Sequence, residues 1–69
     1  MHKPQPVTPR LLRLKAAAEY MSRSTWKLRH MIQRGEIPVV QDGDNAPWLV
    51  DIGDLDRWIE LHKGNFDAK

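Results

Sequence analysis

The sequence predicts a small α+β domain of about three helices and a two-stranded hairpin. Three observations carry that expectation. Leu28, Met31 and Ile32, and again Leu55, Trp58 and Ile59, recur at the i, i+3, i+4 spacing that gathers apolar side chains on one face of a helix. Trp48, Val50 and Ile52 alternate with Leu49 and Asp51, the period of a half-buried strand. Between that strand and the β-branched stretch before it stands Asp42-Gly43-Asp44-Asn45-Ala46-Pro47, a run of turn-forming residues.

In chain order, residues 1–10 carry Pro4, Pro6 and Pro9 and little apolar content, so they read as an extended, flexible arm. Leu11, Leu12 and Leu14 form a short apolar run fit for one brief strand. The stretch 15–21 is rich in Ala and Glu and predicts a first helix, with Ala17, Tyr20 and Met21 on its buried face. Ser22-Arg23 breaks the pattern, and Ser24 is a good N-cap for a second helix over 24–34. Gly35 stops that helix after Arg34, whose charge suits the negative end of the helix dipole. Residues 37–41 and 48–52 are the two hairpin strands, the first confined to an edge by Pro38. A third helix is expected over 54–62, capped by Gly53 or Asp54, with Leu55, Trp58 and Ile59 in the core. The domain thus spans 11–62, and residues 63–69 read as a tail.

Length and charge bound the function. The chain has 69 residues and a mass of 8.0 kDa, enough for one domain only. A body of this size rarely encloses a water-free pocket of about 300 Å³ or more, so catalysis is disfavoured. With no cysteine, disulfides and thiol chemistry are absent; the three histidines have no metal-type spacing, so no cofactor is expected. No apolar run approaches the roughly 18 residues of a membrane span, and the expectation is a cytoplasmic protein without a membrane partner. The net charge is +2, but residues 1–34 carry +7 and residues 35–69 carry −5. So basic a half suggests a polyanionic partner, and the acidic half would face away from it.

Strand, helix, tight turn, helix, hairpin, helix is the plan of a small winged helix-turn-helix. The blocks Lys15-Ala16-Ala17-Ala18-Glu19-Tyr20-Met21, Ser24-Thr25, Leu28, Met31-Ile32, Arg34-Gly35-Glu36-Ile37-Pro38 and Trp48 with Asp54-Leu55-Asp56-Arg57-Trp58-Ile59 resemble the excisionase-type, MerR-related DNA-binding domain. The resemblance covers residues 12–60. Ungapped, it puts Ser22-Arg23 in the turn and starts the second helix at Ser24, so that Leu28, Met31 and Ile32 fall on the family's core positions. It implies that this helix is the recognition element for double-stranded DNA. It further implies a role as an excisionase-like recombination directionality factor or a small phage or mobile-element transcriptional regulator, beside an integrase or another copy of the chain. Two features depart from the pattern. Arg23 stands where a small apolar residue is usual, and the wing loop is longer and carries Asp42 and Asp44 where the family tends to be basic.

At about 100° per residue, Trp26, His30 and Gln33 lie within about 40° of the point opposite Leu28, with Lys27, Arg34 and Arg29 on the flanks. This face has no acid. Arg or Lys can bond guanine and Gln can bond adenine in the major groove, so these six residues, with Ser24 and Thr25 at the helix start, are the candidate DNA contacts. Arg13, Lys15 and Arg23 near the helix starts are candidate phosphate anchors, and Arg10 and Lys3 of the arm are candidate backbone or minor-groove contacts. Trp26 is expected on the DNA, against deoxyribose or a thymine methyl, or in a protein contact, or folded back over Tyr20 or Met21. Two alternatives stand beside sequence-specific DNA binding: a protein-interaction module on the same fold, and a DNA-packaging domain like that of a terminase small subunit.

Overall fold

The structure is a computed structural model that describes residues 9–64. Its elements are β1 (Leu11–Arg13), α1 (Leu14–Tyr20), α2 (Thr25–Gln33), β2 (Leu49–Asp51) and α3 (Ile52–His62). The α+β class with three helices and a two-stranded sheet is that expected, and the architecture is consistent with a small winged-helix fold. The proposed arm contact Lys3 and the tail beyond residue 64 lie outside the described residues.

Both helix exits in the first half use the same device. The chain leaves α2 through Gly35 at φ 80°. The Gly35 N–H donates to the Ile32 carbonyl at 2.9 Å and the Glu36 N–H to the Met31 carbonyl at 2.9 Å, the paired bonds of a Schellman motif. It leaves α1 the same way through Ser22 at φ 56°, with Ser22 N–H on the Glu19 carbonyl at 3.0 Å and Arg23 N–H on the Ala18 carbonyl at 2.8 Å. A serine does there what glycine does later. That reversal redirects the chain into α2, whose first turn is closed by the Ser24 hydroxyl oxygen accepting from the Lys27 N–H at 3.1 Å.

Ala17, Ala18, Met21, Leu28, Met31, Ile32, Ile37, Val50 and Leu55 form the buried core. Each larger member withdrawn from water favours folding by about 1.5–3 kcal/mol. The pair of small alanines lets α1 lie close against α2. Tyr20, expected on that buried face, is instead 45% exposed, and Ala18 takes the inward place. The inward arc is centred between Ala17 and Ala18, which leaves Tyr20 on the flank toward α3. There its hydroxyl donates to the Asp56 carboxylate at 2.5 Å. Leu55 is fully buried, whereas Trp58 and Ile59 pack on the core from outside.

The sheet differs in detail from the expected hairpin. β1 pairs antiparallel with β2, Leu12 opposite Val50, and residues 37–41 form no strand. One rung remains, with Val40 and Leu49 exchanging N–H···O bonds of 2.7 and 2.9 Å. Pro38 has no N–H for a ladder, and Ile37 turns straight into the core, so pairing cannot extend back toward α2. Leu49 therefore has Arg13 on one side and Val40 on the other. The third helix begins at Ile52, earlier than expected, because Asp51 and not Gly53 or Asp54 is its N-cap: the Asp51 carboxylate accepts from the Gly53 N–H at 2.8 Å.

Candidate nucleic-acid interface

The inward face of α2 is sealed by Leu28, Met31 and Ile32, and its outward face is open. Trp26 is 67% exposed and does not fold back on Tyr20 or Met21; its ring rests against His30, with centroids 4.2 Å apart and a tilt of 53°. Thr25, Arg29 and Gln33 are exposed, and Lys27 and His30 are half-buried. The Ser24 side chain is engaged as the cap, so its role here is to start the helix.

On one flank of this face the fold builds a groove of ≈ 450 Å³ from Arg13, Leu14, Lys15, Arg29, Ala46, Pro47 and Trp48. Three cations from two stretches of chain thus line one concavity: Arg13 ends β1, Lys15 lies in the first turn of α1, and Arg29 comes from the middle of α2. The Arg29 guanidinium lies 5.7 Å from the centre of the Trp48 ring, a cation–π contact that steadies a long side chain while leaving its N–H groups for a ligand. The alternation of residues 48–52 puts Trp48 in a hairpin strand and gives it no part in the site. The signal that marks it is its position, directly after Pro47, where the loop returns to the sheet.

On the other flank the cations are partly committed. Arg34 pairs with Glu36 at 2.9 Å, and Glu36 also accepts from the Trp58 indole N–H at 3.4 Å. Arg23 lies 5.9 Å from the Trp58 ring. Arg10, assigned to the flexible arm, belongs to the fold. Its Nε donates to Asp51 at 3.0 Å, its Nη2 lies 2.9 Å from the same oxygen, and its carbonyl accepts from the Ile52 N–H at 2.9 Å. The Arg10 hydrogen bond, then the Gly53 N–H, hold the Asp51 carboxyl below the usual range. Arg13, Lys15, Arg23, Lys27 and Arg29 make no ion pair among the described residues.

The acidic wing is an ordered loop. The Gln41 side-chain amide donates to the Ala46 carbonyl at 3.0 Å and the Asp44 carbonyl at 3.4 Å, which leaves Asp42 and Asp44 outside. Among the described residues no group of His, Asp or Glu side chains is arranged to hold a metal ion, and no helix is long and apolar enough to cross a membrane. Compared with known proteins, the chain matches no family model, no curated protein and no solved structure.

Proposed function

We propose that the chain is a sequence-specific double-stranded DNA-binding module, not an enzyme, that places α2 in the major groove. The observation that carries this reading is the outer face of α2. Trp26, Lys27, Arg29, His30 and Gln33 reach solvent on a helix without a single acid, beside a groove lined by Arg13, Lys15 and Arg29. An α-helix fits the major groove, and cations at its flank suit the phosphates that border it. The acidic residues Asp51, Asp54, Asp56 and Glu60 stand on or before α3 and none is on α2. The motif resemblance supports an excisionase-like directionality factor or a small transcriptional regulator of a phage or mobile element.

The test is titration of the full chain with mixed-sequence duplex at two salt concentrations. With about five phosphates engaged, log K falls against log salt with a slope of about −4 to −5. Arg29→Ala or Gln33→Ala relaxes sequence preference, whereas Arg23→Ala weakens all duplexes alike. Asp42 and Asp44, exposed on the loop where a phosphate-binding wing would be basic, favour a second reading, a protein-interaction module on the same fold. Absence of duplex binding at 50 mM salt, a low-salt condition in which phosphate contacts are strong, supports that second reading and rejects the first.

A further inference from the structure

Trp26 is an anomaly as a surface residue. It is the most exposed aromatic side chain on the molecule's cationic side, at 67%, and it makes no hydrogen bond among the described residues. Two other exposed apolar groups, Tyr20 and Leu61, lie in grooves around Trp58, and Trp26 lines neither groove. One indole is far too little surface for a protein partner, which needs about 800 Å² on each side. Its frame is cationic and polar, with Lys27 beside it and His30 and Gln33 one and two turns on, and that frame suits an anionic partner presenting a small apolar group.

We propose that the indole of Trp26, braced against His30, reads the 5-methyl group of a thymine in the major groove. The inference rests on the DNA-binding reading and names what the site discriminates. The methyl of thymine is the one apolar feature on the major-groove edges of the bases. Trp26 is the second residue of α2, and the first residues of a recognition helix are those that approach base edges. His30, one turn on, packs its ring on the indole and limits the rotamers that would otherwise be lost on binding.

The experiment uses the full chain and a duplex selected from a randomised pool, in which each thymine in turn is replaced by deoxyuridine, removing only the methyl. Burial of one methyl group corresponds to about a fourfold effect. The expected result is one position at which wild type prefers thymine by about fourfold, and a Trp26→Ala variant that binds both duplexes equally. His30→Ala lowers the thymine-to-uracil ratio, and His30→Phe, which keeps a ring against the indole, restores it. A simple loss of fold would not change that ratio, and circular dichroism of Trp26→Ala verifies folding. Tight duplex binding with no thymine preference, or a preference that Trp26→Ala retains, overturns this proposal and leaves the DNA-binding reading standing. Recovery of no duplex overturns both.

Discussion

At the level of single residues, the positions that matter most are those doing a job usually given to another amino acid. Ser22 holds a left-handed backbone at φ 56°, which costs a side-chain-bearing residue about 1–2 kcal/mol. Ser22→Gly removes that strain and adds some entropy to the unfolded chain, so a net gain of about 0.5–1 kcal/mol is expected, read as a rise of several degrees in Tm. Arg34 and Arg29 look equivalent in the sequence, two cations on one helix face. The structure separates them, since Arg34 is paired with Glu36 and Arg29 lies on Trp48 in the basic groove. Arg29→Ala should relax sequence preference, and Arg34→Ala should change it little. Equal changes in both variants would mean that the Glu36 pair opens on binding. No residue pattern could have announced that pairing, because Glu36 reaches Arg34 only after the turn at Gly35 is made.

At the level of elements, caps decide where each helix starts. Ser24 was legible as a cap because it precedes the apolar spacing of α2 directly, and Ser24→Ala should cost about 1 kcal/mol in a denaturant titration. Asp51 was not legible, because it alternates with Val50 and Ile52 and so reads as the exposed face of a strand. It ends β2 and caps α3 at once, which moves the helix start forward and holds Arg10. Its carboxyl is held below the ordinary value of about 3.9, so the stability it adds is present above that value and is lost as pH falls through its lower, folded-state value. Asp51→Asn keeps a capping side chain but removes the charge. Its Tm should lie below that of wild type at pH 7, and the gap should close on acidification toward pH 3. A gap that persists unchanged would assign the effect to the cap alone. Residues 37–41 show the opposite case, a β-branched stretch whose strand propensity is overridden because Ile37 is drawn into the core and Pro38 cannot pair.

On the scale of the whole molecule, the periodic helices, the turn and the open face of α2 were readable from spacing and composition, since these follow from local geometry. Sheet pairing, the inward place of Ala18 and the gathering of Arg13, Lys15, Arg29 and Trp48 were not, because they depend on which distant segments meet. Leu55→Ala, in the core with no exposed surface, should cost about 2–5 kcal/mol, a large share of what so small a domain can hold. Loss of cooperative thermal unfolding would be the readout. The sheet also sets the order of events when the chain folds. The Arg10–Asp51 clasp and the adjoining β1–β2 rungs join partners up to 41 positions apart, whereas α1, its reversal and α2 are built from near neighbours. The helical pair can therefore assemble early, and the slow step is the closing of a long loop that waits on Leu49–Asp51. A nascent chain that has not yet released those residues carries α2 and its cationic face without the sheet that completes the fold behind it.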